Sequence, residues 1–335
     1  MFIYILSYAE ALLHEVSEGL HVRFIPLEGW LKPIDSLLFR LRKVPYVPAV
    51  RDRIAYHAYG GGLTRALAMD RIDLLYHQEV WTPRFDLMVR KVTVPVVGAD
   101  HGAVYSGWMA AGKRRALSKA ALVICQSHTG ILLARELGAD AELMYNGVNC
   151  EFYTPSPAAE RKEFILAVGR FVEPQKRFAD LLQAVRSLTD FRLVLVGSGP
   201  DEALLKRLAA DQGLQDRVQF TGFISSREQL RRLYQQCGVF VSTSSWEAVA
   251  LVMLEAMSCG AAVVGSRIPS FEELLTDQKD GLLFPVGDVP ALVESIKQAW
   301  ERRSALGAAA RDTVAKHYSS AALYKRLSDS IERLP

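Results

Sequence analysis

From Phe164 onward, short runs of apolar and β-branched residues alternate with stretches of helical period. "FILAVGR" leads to "KRFADLLQAVRSL", "FRLVLVGSG" to "DEALLKRLAADQGL", and "RVQFTGF" to "SREQLRRLYQQC". "GVFVSTS" then precedes the apolar helical run of "SSWEAVALVMLEAMSCG", and "AAVVGS" follows it. Strands that are apolar throughout, separated by helices, predict a parallel sheet covered on both faces. That pattern is Rossmann-like.

The first half repeats the theme less regularly. "MFIYILS", "LHVRFIPL", "RIDLLYHQ", "TVPVVGADHG", "ALVICQS" and "AELMYNGV" read as strands with helical stretches between them. A chain of 335 residues exceeds the usual size of one core. Two Rossmann-like α/β domains in tandem are therefore expected. The boundary is expected in "NGVNCEFYTPSPAAERKE", where turn residues and two prolines interrupt both periodicities. This gives a first domain over residues 1–149 and a second over 150–318. The amphipathic end, "YSSAALYKRLSDSIERLP", places Leu323, Leu327 and Ile331 on one stripe. It is expected to form a helix over 319–335 that returns to the first domain.

Composition narrows the function classes. Half the residues are hydrophobic and 23% are charged, as in a globular protein. A net charge of +3 is far below the load of a nucleic-acid-binding domain. Cys125, Cys150, Cys237 and Cys259 form no CxxC pair, so free thiols in a reducing, cytoplasmic compartment are expected. "MFIYILSYA" has no basic flank and about half the roughly 20 residues of a membrane span, so it reads as a core strand. "IDSLLFRLRKV" joins Leu37, Leu38, Phe39 and Leu41 to Arg40, Arg42 and Lys43. It fits a peripheral contact with an anionic membrane, and equally a core element with a charged edge.

The candidate chemistry lies on one sheet edge. An open parallel sheet binds its ligand outside the carboxyl ends of its strands, where "GRFVEPQK", "GSGP" and "TSSWEAVA" are expected to fall. Glu247 and Glu255 stand eight positions apart (255 − 247 = 8) at the head of an otherwise apolar helix. "STSSWE" offers polar N-caps, and the amides of residues 248–251 at the helix start suit a phosphate. Arg170 and Lys176 are placed to neutralise a diphosphate. The two carboxylates suit sugar hydroxyls on either side of it. Taken singly, each of these residues also fits a solvated surface position, and His101 in "GADHG" fits a structural histidine. Their shared edge is what favours a site. No His/Cys/Asp/Glu cluster has metal-ligand spacing, so neither a metal nor a cofactor is expected. A dinucleotide oxidoreductase is disfavoured, since no GxGxxG turn is present.

These residues carry a resemblance. "EAVALVMLE" resembles the ExxxxxxxE signature of retaining GT-B glycosyltransferases of the family 4 type, the glycosyl transferases group 1. "GRFVEPQK" is similar to that family's phosphate-binding segment, "NGVNCEFY" to its hinge and "VGSGP", with Gly197, to its donor-domain turn. The likeness covers about residues 120–290. It implies the GT-B fold, two Rossmann-like parallel-sheet domains facing a cleft. Arg170 and Lys176 would hold the donor diphosphate, with the amides near Ala250, Leu251 and Val252. Glu255 would hold the ribose, Glu247 the transferred sugar, the backbone at Phe223 and Ile224 the base, and His101 would lie against the donor sugar. In two places the chain departs from the family: Ala248, Val249 and Ala250 stand where Gly-Phe-Gly is frequent, and no glycine-rich acceptor loop follows the first strand.

The implied activity is transfer of a hexosyl group from a nucleoside diphosphate sugar, with retention, to a hydroxyl of a glycan, glycolipid or small glycoside. Polysaccharide or glycoconjugate biosynthesis is the implied setting, with a cytoplasmic protein peripheral to the inner face of a membrane if the acceptor is lipid-linked. A non-catalytic nucleotide-sugar-binding or partner subunit of the same fold is the alternative.

Overall fold

The computed structural model describes residues 2–6, 21–25, 67–71, 73–78, 80, 83–100, 113–156, 162–247 and 250–334. His101 and the segment 37–43 lie outside them. The chain divides into two compact units, Met1–Met144 and Tyr145–Pro335.

In the first unit, β1 (Phe2–Leu6) and β2 (His21–Ile25) pair in parallel. Strands β3 (Leu75–Gln78), β4 (Val96–Asp100), β5 (Leu122–Cys125) and β6 (Ala141–Leu143) form a parallel sheet in sequence order. Helix α1 (Pro83–Lys91) connects β3 to β4, and α2 (His128–Glu136) connects β5 to β6. Every residue of β4 and β5 is buried, as a sheet covered on both faces requires. Phe85, Leu117 and Val123 belong to the core on one face. At its margin Lys113 Nζ meets Asp86 Oδ1 at 2.8 Å.

The second unit runs β7 (Lys162–Val168), α3 (Glu173–Lys176), α4 (Phe178–Ser187), β8 (Arg192–Val196), α5 (Glu202–Asp211), β9 (Val218–Gly222), α6 (Arg227–Gln236) and β10 (Cys237–Ser242). There follow α7 (Leu251–Ser258), β11 (Ala262–Ser266), α8 (Pro269–Leu274), β12 (Leu282–Phe284), α9 (Val289–Glu301), α10 (Arg303–His317) and α11 (Ser320–Glu332). Its six strands are all parallel, in the order β12-β11-β10-β7-β8-β9. The short strand β12 and helices α9 and α10 were not singled out from the sequence; a three-residue run is too brief to display a period.

Two cores flank this sheet. Leu181, Leu205 and Ile296 pack on one face, and Tyr234, Met253, Met257 and Val314 on the other. Helix α11 lies within Tyr145–Pro335 and meets the segment at its start: Ser320 N donates to Val148 O at 2.9 Å, and an added Cβ on Gly147 would lie 3.0 Å from Leu323 Cδ1. All four cysteines are free thiols.

One expectation is corrected here. The helix bearing Glu255 starts at Leu251, and Glu247 stands in the loop before it. The hydroxyls that read as N-caps bond to a neighbouring loop instead, and Ala250 caps the helix with no side-chain bond.

Candidate donor site in the second unit

The strand order of the second sheet reverses at the β7–β10 pair, since β8 and β9 lie to one side and β11 and β12 to the other. At such a reversal the loops leaving the two central strands diverge and open a crevice at their carboxyl ends. The loop after β7 contains Arg170 and Lys176; the loop after β10 contains Glu247.

These two loops are tied together. Thr243 Oγ1 donates to Lys176 O at 2.7 Å, Ser245 N to Gln175 O at 2.8 Å, and Ser245 Oγ to Pro174 O at 2.8 Å. Ser244 Oγ donates to Glu247 Oε1 at 2.5 Å, while the Ser244 carbonyl accepts from Ser266 Oγ. Lys176 Nζ forms an ion pair with Glu247 Oε1, and their side chains are only 15% and 11% exposed. Two residues 71 positions apart, singled out separately for charge and carboxylate chemistry, therefore touch.

The Lys176 loop is braced from below. Glu173 accepts hydrogen bonds from Phe178 N at 2.9 Å and Ala179 N at 3.0 Å, capping α4 from five residues before its first residue. Asp201 Oδ2 in turn accepts from Glu173 N at 2.8 Å. Burial raises the Glu173 carboxyl above its usual range, and the two backbone donors oppose that rise. Arg177, between α3 and α4, is left-handed at φ 51°. Arg170 is exposed, with no hydrogen bond or ion pair of its side chain to a described residue, so it is available to an anion.

Gly197 fits this edge for a geometric reason. Its φ is +138°, and an added Cβ would sit 1.9 Å from Gly169 O. Only glycine lets the β8 turn lie so close to the β7 loop. On the turn after β9, Phe223 is 76% exposed and Ile224 half-buried.

Helix α7 completes the site. Met253 and Leu254 N bond to Ala250 O, while the amides of Leu251 and Val252 open the helix without an intrahelical acceptor. Such a start favours an anion. Glu255 is the single ionisable residue of "LVMLEAMS". It accepts from the Tyr234 hydroxyl at 2.9 Å, and the Tyr153 hydroxyl acts on it electrostatically. Burial raises its carboxyl above the usual range; the two tyrosines and Arg227 pull the other way.

The sequence-derived residues Arg170, Gly197, Phe223, Ile224, Glu247 and Ala250 fall on loops at this edge, Leu251 and Val252 open α7, Lys176 ends the short helix α3, and Glu255 lies one turn into α7. Lys176 meets Glu247 directly; Glu255 instead joins the two tyrosines. Sequence reasoning passed over Tyr153, Tyr234, Ser244 and Glu173. Tyr234 was detectable, since a tyrosine on the apolar stripe of "SREQLRRLYQQC" needs a partner for its hydroxyl. Among the described residues no group of His, Cys, Asp or Glu is placed to hold a metal ion, and no helix is long and apolar enough to cross a membrane.

Comparison with known proteins defines the class. The chain matches the crystal structure of Anabaena HepE in complex with UDP at a TM-score of 0.71 and 18% identity, covering 94% of this chain and 86% of that one. Its fold is GT-B, with two Rossmann-like parallel-sheet units. Residues 151–313 match the family described as glycosyl transferases group 1. The lipopolysaccharide core biosynthesis glycosyltransferase LpsD of Rhizobium meliloti is 28% identical over 224 residues, which are 63% of each chain. The GDP-mannose:cellobiosyl-diphosphopolyprenol alpha-mannosyltransferase of Xanthomonas oryzae pv. oryzae is 28% identical over 305 residues, 85% of this chain and 72% of that one. The chain thus spans under two thirds of the length of LpsD.

Proposed function

We propose that this protein is a retaining glycosyltransferase that moves a hexosyl group from a nucleoside diphosphate sugar to an acceptor hydroxyl of a glycan or lipid-linked glycan. The setting is polysaccharide or glycoconjugate biosynthesis, by analogy with the lipopolysaccharide and diphosphopolyprenol enzymes it resembles. The observation that carries the reading is the meeting of Lys176 and Glu247 at the switch point of the second sheet, beside the start of α7.

In this reading the diphosphate lies over the amides of Leu251 and Val252, with Arg170 and Lys176 as its counter-charges. Glu247 accepts from hydroxyls of the transferred sugar and Glu255 from the ribose. The base lies along the backbone at Phe223 and Ile224. As the glycosidic bond to the diphosphate breaks, negative charge grows on the leaving oxygen. Fixed cations and helix amides stabilise that charge more than they stabilise the bound donor, which lowers the barrier. Attack from the same face lets a donor phosphate oxygen take the acceptor proton, with retention at the anomeric carbon and neither metal nor cofactor. Contact of residues 37–43 with an anionic membrane is part of the same proposal.

The test is a screen of nucleotide sugars by thermal shift, followed by transfer to candidate acceptors and assignment of the product's anomeric configuration by NMR. A donor at 100 times its dissociation constant adds about 2.7 kcal/mol of stability. A product of inverted configuration contradicts the proposed retention, and nucleotide-sugar binding with neither transfer nor hydrolysis points to a non-catalytic subunit.

A further inference from the structure

We propose that Tyr153 and Tyr234 are positioning residues that aim the Glu255 carboxylate at the ribose hydroxyls and so set a preference for ribonucleotide over 2′-deoxyribonucleotide donors. The inference rests on the assignment of Glu255 to the ribose and deepens it.

Both tyrosines are buried and closely packed. Tyr234 is wholly buried, its ring edge-on to Tyr153 at 6.1 Å and to Phe240 at 5.8 Å between centroids. Tyr153 is held through its carbonyl, which accepts from Ser258 Oγ at 2.5 Å and from Arg311 at 2.9 Å. Arg311 also donates to the carbonyls of Cys150 and Ser258, fastening the segment that contains Tyr153 to the end of α7. The phenols and the carboxylate thus share one assembly, with Glu255 a single turn before Ser258 on the same helix.

Chemistry gives these hydroxyls a purpose. Packing alone would be served by phenylalanine. A carboxylate offers about four lone-pair sites; the Tyr234 phenol occupies one, and the Tyr153 phenol adds its dipole to the same carboxylate. The remaining sites form a fixed acceptor edge, which suits a vicinal diol. Burial raises both tyrosines above their ordinary range, so they stay protonated. Arg227 and Cys259 are the other ionisable groups facing this cluster. A site built to bond a particular hydroxyl rejects the analogue that lacks it, because its polar groups are left unpaired. That rejection depends on aim.

Calorimetric titration of UDP, GDP and ADP and of their 2′-deoxy counterparts into wild type, Tyr153→Phe, Tyr234→Phe and Glu255→Ala tests this. For the nucleotide that binds best, the phenylalanine variants are expected to lose about threefold to tenfold in ribonucleotide affinity, as befits a lost hydrogen bond one step from the ligand. Their deoxyribonucleotide affinity should barely change, so discrimination narrows. Equal weakening of both nucleotides, or no weakening, would overturn the proposal and leave the tyrosines a packing role. Unchanged ribonucleotide binding in Glu255→Ala would instead overturn the Glu255 assignment, whatever the tyrosine variants do. Urea unfolding of each variant verifies the fold, and Tyr153→Phe carries the test alone if Tyr234→Phe does not fold.

Discussion

Lys176 and Glu247 neutralise each other in a crevice where water reaches little of either side chain. Removing one partner strands the other's charge, and leaving a buried charged group unpaired costs about 1 to 3 kcal/mol or more. Glu247→Ala should therefore lower the unfolding free energy by about that amount, while Lys176→Met with Glu247→Ala should cost less than the sum of the two single changes. A double-mutant cycle in urea measures the coupling; strict additivity would mean that the pair is not formed. Glu255 gives a second residue-scale test, in pH. Its carboxyl is raised in the folded protein, chiefly by burial, so the folded state binds its proton more tightly than the unfolded chain does. Ionisation at neutral pH thus costs stability, and that cost disappears as pH falls through the raised value towards the ordinary 4.5. The melting temperature of Glu255→Gln relative to wild type should accordingly be higher at pH 7 than near pH 4.5. A difference independent of pH would contradict the burial of the carboxylate.

At the scale of elements, two loop positions separate strain that the fold relieves from strain that it tolerates. Gly197→Ala drives a Cβ into Gly169 O, backbone against backbone, so the β7 and β8 loops must part. The expected loss is about 2 kcal/mol or more by urea unfolding. Arg177 already holds a left-handed backbone, and Arg177→Gly relieves it at the expense of a half-exposed ion pair to Asp180 at 2.7 Å, so its net effect should stay within about 1 kcal/mol. The sequence displayed the strand and helix alternation well, because strands apolar at every position have few alternatives. It misled at the glutamate helix. Thr243, Ser244 and Ser245 look like caps in one dimension, but in the fold Thr243 and Ser245 bond the "EPQK" loop some 70 positions earlier and Ser244 bonds Glu247. Local capping chemistry loses wherever a distant loop offers better acceptors, and no periodicity reports that. β12 was missed for its brevity, and Tyr153 as a partner of Glu255 because the contact joins a turn-rich segment to a helix about 100 residues on.

For the molecule as a whole, the two-unit division and the parallel sheets followed from alternation and length, whereas the chemistry needed the sheet order. Nothing in the chain announces that β10 lies beside β7; that adjacency brings residues 176 and 247 together and makes a crevice of their loops. The central claim is that this crevice holds a nucleoside diphosphate sugar with Glu247 on the sugar and Glu255 on the nucleotide. Paired calorimetry of the best nucleoside diphosphate and its sugar conjugate, in Glu247→Gln and Glu255→Ala, addresses it most directly. Glutamine keeps the shape at position 247 but removes the charge, and a lost bond to a charged group corresponds to roughly tenfold to a hundredfold in affinity. Glu247→Gln should lose that factor for the nucleotide sugar while nucleoside diphosphate binding falls by no comparable amount; Glu255→Ala should lose it for both. Wild-type affinity for the nucleotide sugar in Glu247→Gln would contradict the account.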